Sequence, residues 1–258
     1  MSQPNRAGRR KSPIGRDACL QADAHVTVVI PTLDEGHRIG ALLAVLAGAP
    51  ALVARIVVSD GGSVDDTVSI ARRHGADVVA GPPGRGGQLR RGAERIADGW
   101  IWLLHADSEL PPGWAESLRD TLARADPARA YYGRLRFASG DIRARIVERL
   151  AGWRCRVFRL PYGDQSLLIH ARLLAALGGV PDLKLMEDVA LARRLGRRLA
   201  LMDLVIGTSA RTYQRDGWFR RAAGNLIRLA LFLAGRDPAR LAKLKFSLIR
   251  KQIPCIYR

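Results

Sequence analysis

The chain has 258 residues and 48% hydrophobic content, enough apolar material for one sizeable core, and one domain is expected. Lys and Arg number 42 against 24 Asp and Glu, and the resulting +18 must be solvated, paired with anions or held against an anionic surface; nucleic acid, phosphorylated small molecules and acidic lipid are the partner classes it admits. Cys19, Cys155 and Cys255 are odd in number and far apart, which argues against a disulfide framework or a zinc site and for a reducing compartment; no apolar h-region follows the basic N-terminus, which argues against a signal peptide, and no run approaches the ~20 apolar residues of a membrane span.

Residues 1–24 carry Arg6, Arg9, Arg10, Lys11 and Arg16 without apolar periodicity and read as a disordered basic leader. Val26 to Ile30 is a β-branched run ended by Pro31, and Ile56 to Val58 is a second, ended by Ser59-Asp60-Gly61-Gly62. Both fit buried parallel strands. Leu42, Leu43, Val45 and Leu46 between them keep helical spacing, and Asp65-Asp66-Thr67 opens a helix that Gly75 closes. A third strand, Ala76 to Ala80, runs into the loop Gly81 to Gly87; a helix through Gln88 to Ala97 then leads to a fourth strand, Trp100 to His105. This β-α-β-α-β-α-β order predicts a mostly parallel, doubly wound α/β sheet with right-handed crossovers. Farther on, a helix near Trp114 to Ala125, a strand near Tyr131 to Phe137, a helix near Ile142 to Phe158, a short strand to His170, a helix opened by Glu187-Asp188 and a strand at Leu199 to Ile206 are expected. Residues 25–215 form the expected α/β domain and 216–258 a basic, amphipathic helical extension.

Ligands of such sheets sit beyond the carboxyl ends of the strands, which directs attention to Pro31, Thr32 and Glu35, to Asp60 and Gly61, and to Ala106 and Asp107. Asp is a ready turn and cap residue. Asp65 and Asp66 already occupy the cap position of the next helix, however, so Asp60 is left to accept hydrogen bonds from a ligand, of which a nucleobase imide is one. Asp107 and Glu109 stand two apart; in extended chain they point the same way and suit Mg²⁺ or Mn²⁺, which take one or two carboxylates plus substrate phosphates. The alternative is a solvated Asp in a turn before Pro111-Pro112. The loop Gly81 to Gln88 is not a Walker loop, but its amides with Arg85, Gln88 and Arg91 can meet a diphosphate at a helix N-terminus. A helix cap explains one of Glu187 and Asp188 and not both; Asp188 is the choice for a general base taking a proton from an acceptor hydroxyl, with Glu187 beside it.

Five ordered segments together resemble a family 2 glycosyltransferase of the GT-A fold. Val28-Val29-Ile30-Pro31-Thr32-Leu33-Asp34-Glu35 is similar to that family's opening VIPTLNE, and the stretch Val58 to Thr67 to its VDDGSxDxT element, whose leading Asp contacts the nucleobase. Leu104-His105-Ala106-Asp107 resembles the HAD form of its metal element, and Met186-Glu187-Asp188 its ED element. Gly163-Asp164-Gln165 looks like the GDQ of a short bacterial subgroup often labelled after arsenosugar biosynthesis, and these three residues are placed on the acceptor side. The chain departs at His105, which replaces the first acid of the metal element, and at Arg90, which replaces an Asn of the glycine-rich loop. The resemblance implies a nucleotide-sugar donor such as a UDP-sugar, a Mg²⁺ or Mn²⁺ ion, an inverting single transfer to a small or lipid-linked acceptor, and a cytoplasmic enzyme. The basic, apolar tail adds an expected peripheral attachment to an anionic membrane face. Two other classes fit less well: a nucleotidyltransferase would carry a glycine-rich loop directly after the first strand, and a nucleic-acid-binding module is opposed by scattered arginines and by carboxylates that repel phosphate.

Overall fold

The computed structural model describes residues 25–242; the basic leader, Cys19, Cys255 and the tail beyond Ala242 lie outside it. The first half alternates as expected: β1 (Val26–Thr32), α1 (Gly36–Ala47), β2 (Val53–Asp60), α2 (Thr67–Arg73), β3 (Asp77–Ala80), α3 (Arg85–Ala93) and β4 (Trp100–Leu103). There follow β5 (Ser108–Glu109), α4 (Trp114–Ala123), β6 (Ala130–Phe137), α5 (Ile142–Phe158), β7 (Leu167–His170), α6 (Ala171–Ala176), α7 (Glu187–Leu195), β8 (Leu199–Thr208), α8 (Arg211–Asp216), α9 (Trp218–Leu233) and α10 (Pro238–Ala242).

The strands form one eight-stranded sheet in the order β3-β2-β1-β4-β7-β6-β8-β5. The β3 to β4 half is parallel, β7 runs antiparallel to both β4 and β6, β6 and β8 are parallel, and β5 closes the edge antiparallel to β8. The antiparallel pairings and the short β5 and α6 are additions to the expected pattern. Strand pleat sorts the apolar residues onto two faces. Val26, Val28, Ile30, Trp100 and Trp102 pack under α1 and α4, whereas Val29, Val57, Ile101 and Leu103 pack under α3, α6 and α7. A third, smaller cluster joins Phe137 of β6 to Trp218 of α9, which fastens α9 to the sheet.

Three element boundaries differ from expectation, for physical reasons that shape the site. Pro31 does not end β1: β4 diverges after Leu103, opposite Val29, and Pro31 faces that vacated side, so its missing N–H costs no ladder bond. β4 itself stops at Leu103, which turns His105 to Asp107 out of the sheet. The helix after the glycine-rich loop begins at Arg85, earlier than expected, because Gly84 adopts φ 142° and the Gly86 amide donates to the Leu183 carbonyl at 3.1 Å. A Cβ at Gly86 would collide with the Pro181 and Leu183 backbone, so only glycine lets the loop before α7 lie against α3.

Candidate active site

The carboxyl ends of β1 and β4 open on a cleft of about 400 Å³ lined by Pro31, Thr32, Glu35, Arg85, Gln88, Ala106 and Asp107. A second cavity, about 250 Å³, adjoins it and shares Arg85, His105 and Asp107; Gly163, Asp164, Asp188, Thr208, Arg221, Asn225 and Arg228 complete its wall. The two meet at the turn after β4.

At the cleft mouth Arg38 bridges two carboxylates, Glu35 at 3.0 Å and Asp107 at 3.8 Å. Desolvation nevertheless raises the Glu35 carboxyl above its ordinary value, the Arg38 charge opposing it and Asp107 adding to it. The Thr208 hydroxyl donates to Asp107 at 3.3 Å from the far end of β8. Asp34 sits in the left-handed region, φ 54°, which Asp tolerates, and it clasps the neighbouring loop twice: its amide donates to Ser63 Oγ and its carboxylate accepts from the Val64 amide, both at 2.9 Å.

Several residues expected to meet a ligand also make contacts within the protein. Asp60 is not left free: Thr32 Oγ1, Ser63 Oγ, and the Gly62 and Ser63 amides all donate to it, at 2.5 to 3.0 Å. That fills a carboxylate's ordinary acceptor capacity. Burial would raise its pKa, but these donors outweigh burial and hold it below the usual carboxylate range. Asp60 therefore organises the Gly61-Gly62-Ser63 turn. Gln88 is buried and braces backbone, donating to the Thr32 and Ser59 carbonyls at 2.6 and 3.0 Å and accepting from Gly84, so only its edge faces the cleft, with Gly61 packed beneath it. Arg91 turns its guanidinium to the carbonyls of Asp60 and Pro82. Glu109 does not line this cleft: Asp107 lies in a turn, not in extended chain, and Glu109 pairs in β5 with Gly207, although both carboxylates line an adjoining hollow with His37 and Arg211. Among the described residues no cluster of three or more His, Cys, Asp and Glu forms a metal cage. Gln165 is likewise not at the acceptor cavity; it is buried, donates to the Gly133 carbonyl at 3.0 Å and accepts from Arg154 and the Cys155 thiol.

The α7 terminus is built from Met186 in the left-handed region at φ 66°, which sets Glu187 and Asp188 in the first turn, where the helix dipole favours negative charge. Asp188 accepts from the Gly163 amide and from the Val189 amide, both at 2.7 Å, and faces the second cavity. Gly163 passes so close to His105 that an added Cβ would lie 2.5 Å from its Nε2. Desolvation, reinforced by Arg85, depresses the His105 pKa well below 6.5 and keeps the imidazole neutral. Burial pushes Asp164 up to about 6, Arg154 and Arg85 pulling down and Asp188 and Asp107 pushing up, and one of its oxygens is buried without a hydrogen-bond partner. Glu187 is buried, 3.6 Å from Arg85; burial and then the Asp188 charge lift its pKa to about 7, which the Arg85 charge moderates.

The contributions from β8 and α9, namely Thr208, Arg221, Asn225 and Arg228, were missed by the sequence reading. Only Thr208, a polar residue at a strand end, carried a signal of the kind used for the other sites.

Residues 27–191 match the profile of Glycosyl transferase family 2. The chain belongs to that family. An uncharacterized glycosyltransferase of Mycobacterium tuberculosis, and its counterpart in Mycobacterium bovis, are each 34% identical over 210 residues, covering 78% of this chain and 91% of theirs. Among solved structures, glucosyl-3-phosphoglycerate synthase from M. tuberculosis in complex with Mn²⁺, UDP and glucosyl-3-phosphoglycerate superposes with a TM-score of 0.57 at 21% identity, covering 86% of this chain and 85% of that one. Its complex with Mn²⁺ and UDP-glucose gives 0.55 at 22%, covering 77% and 75%. At that identity the likeness establishes the shared GT-A fold. This glycosyltransferase thus has the architecture its motifs imply, and no helix among the described residues is long and apolar enough to cross a membrane.

Two consequences of the site are open to measurement. Asp60→Ala strands four donors and is expected to destabilise the glycosyltransferase by about 1–3 kcal/mol. Denaturant unfolding checks it; a variant of full stability that only binds UDP more weakly would return this side chain to the ligand. Glu187 has a folded pKa raised from 4.5 to about 7, so its contribution is present below the lower value and is lost as pH rises through the upper one. Glu187→Gln, which cannot ionise, is expected to gain thermal stability relative to the wild type as pH climbs through that window, and parallel melting curves across it would contradict the assignment.

Proposed function

We propose that this glycosyltransferase moves a sugar from a nucleotide diphosphate sugar, a UDP-sugar foremost, to an acceptor hydroxyl by one inverting, non-processive displacement. The observation that carries the reading is the meeting of the two cavities at Asp107, His105 and Arg85, with Asp188 on the side away from the nucleotide cleft. Donor fills the cleft beyond β1 and β4; acceptor enters the second cavity. Asp188, pinned by two amides, takes the hydroxyl proton as the acceptor oxygen bonds to the anomeric carbon, whose bond to the diphosphate breaks on the opposite face. Arg85 lies where charge grows on the departing diphosphate, and neutral His105 packs beside it. Asp107 is a hard carboxylate at the cleft and would hold a Mg²⁺ or Mn²⁺ ion, which would supply further neutralisation of that charge. The related synthase crystallised with Mn²⁺ and UDP-glucose supports this choice.

The enzyme is read as cytoplasmic and peripheral on an anionic membrane face, on the strength of the net +18 charge and of α9, where Phe219, Leu226, Ile227 and Leu233 are exposed among arginines. Salt-sensitive co-sedimentation with anionic but not neutral vesicles is expected; equal, negligible pelleting with both would leave a soluble enzyme. The donor reading is tested by screening UDP-, GDP- and dTDP-sugars for Mn²⁺-stimulated release of nucleotide. No turnover of any of them, with intact protein, would overturn it.

A further inference from the structure

Fourteen large hydrophobic side chains are exposed among the described residues, and they are not scattered: six lie on α5 and four on α9. Exposed apolar area so concentrated marks a binding surface. Between these helices runs a groove of about 140 Å³. Helical periodicity builds both walls. Val147, Leu150, Ala151 and Phe158 come from α5, and Ala222, Leu226 and Leu229 from α9. Leu150, Phe158 and Leu226 are each more than half exposed, so the groove is apolar and open along its length. Its inner end is not closed: Tyr162, Asp164 and Asn225 line both the groove and the acceptor cavity. One step around α9 from the apolar stripe, Arg221, Asn225 and Arg228 line the acceptor cavity itself.

Three chemistries therefore adjoin: the Asp188 carboxylate and the Arg221 and Arg228 guanidinium groups line one cavity, and Tyr162, Asp164 and Asn225 connect it to the hydrocarbon surface of the groove. A ligand that matches all three has a hydroxyl, a negative charge and an apolar chain. The geometry points to an anionic phospholipid with a hydroxylated head as the acceptor, its chain in the α5–α9 groove, its phosphate beside Arg221 and Arg228, and its hydroxyl at Asp188. This inference rests on the second cavity being the acceptor cavity. It supplies what that reading lacks, the chemical class of the acceptor. A soluble sugar or a free phosphate would leave the apolar groove without a purpose, and a wholly apolar ligand would leave the arginines without one.

The test uses the full chain and the tryptophan that the groove provides. Of the five tryptophans, Trp153 lines the groove and is half exposed, whereas Trp100, Trp102, Trp114 and Trp218 are buried. Short-chain phosphatidylglycerol below its micellar concentration is titrated against glycerol 3-phosphate, which has the head without the chain, and against short-chain phosphatidylcholine, which has the chain without the net charge. Phosphatidylglycerol is expected to bind at least about tenfold more tightly than either and to shift the Trp153 emission to the blue. Leu226→Glu on one wall and Leu150→Gln on the other are each expected to weaken that binding about tenfold while UDP binding with Mn²⁺, read on the same samples, stays unchanged and reports an intact fold. Phosphatidylglycerol binding no tighter than glycerol 3-phosphate would overturn the proposal in favour of a soluble anion, and equal binding of phosphatidylcholine would reduce the groove to nonspecific apolar adsorption. Wild-type lipid affinity in both variants would mean that something else covers the groove, a second copy or the tail beyond Ala242, and would overturn it as well. Loss of UDP binding in the wild type would instead sink the donor reading and leave the groove standing, so the two failures are distinct.

Discussion

Asp188→Asn is expected to lower sugar transfer by roughly 10²-fold or more while UDP binding persists. The substitution keeps the side-chain shape and removes its basicity. It also strikes a site without slack: both carboxylate oxygens accept from amides at 2.7 Å, and an Asn can offer an oxygen to only one of them. The chemical step suffers on two counts, loss of the proton acceptor and rotation of the group that replaces it. The nucleotide cleft is bounded by Glu35, Arg85 and Asp107 and not by Asp188, so the UDP dissociation constant is expected to change little. Initial rates at saturating donor, paired with UDP titration, separate the two. If UDP affinity collapses while residual turnover stays high, Asp188 belongs to the donor and Asp164, whose pKa stands near 6, becomes the candidate base.

Asp107→Ala is expected to cost still more, roughly 10³-fold or greater, and to abolish the tightening of UDP binding by Mn²⁺. Glu109 does not line the nucleotide cleft, although it shares a neighbouring hollow with Asp107. Glu35 is the nearest acid in the cleft, but it is already engaged by Arg38. Asp107→Glu serves as the conservative companion: partial recovery of Mn²⁺-dependent binding would show that a carboxylate at this turn is what matters. Unchanged turnover in Asp107→Ala would remove the metal assignment altogether. Because Thr208 and Arg38 also touch this carboxylate, a melting curve must accompany the kinetics to show that the turn has not come apart.

The sequence by itself determined the first half of the sheet and the family. Val26 to Ile30, Ile56 to Val58 and Trp100 to Leu103 are continuous apolar runs that no amphipathic surface helix would carry, and the polar residues directly after them fall at the strand ends where such sheets bind ligands. Asp107, Asp188 and Arg85 were legible for that reason: each sits at an element boundary whose position follows from local pattern. The contacts within the protein that the sequence did not show have an equally physical origin. Whether Asp60, Gln88, Arg91 and Gln165 face a ligand or brace the backbone depends on partners between 2 and 56 residues away, and a propensity carries no information about a carbonyl on another strand. Asp107 and Glu109 were expected side by side in extended chain; one turn at residues 105–108 keeps Glu109 off the cleft while both still line one neighbouring hollow. The antiparallel β7 and the edge strand β5 were decided only by tertiary pairing, since short strands gain their stability from neighbours and not from their own composition. The acceptor cavity is the fullest case. Its wall joins β4, the Gly163 turn, α7, β8 and α9, elements more than a hundred residues apart in the chain, and α9 reads in sequence only as a basic amphipathic helix. Packing α9 against α5 and Phe137 is what aims Arg221 and Arg228 at the cavity and leaves Leu226 facing the groove, because the rotation of a helix about its own axis is fixed by the surface it buries.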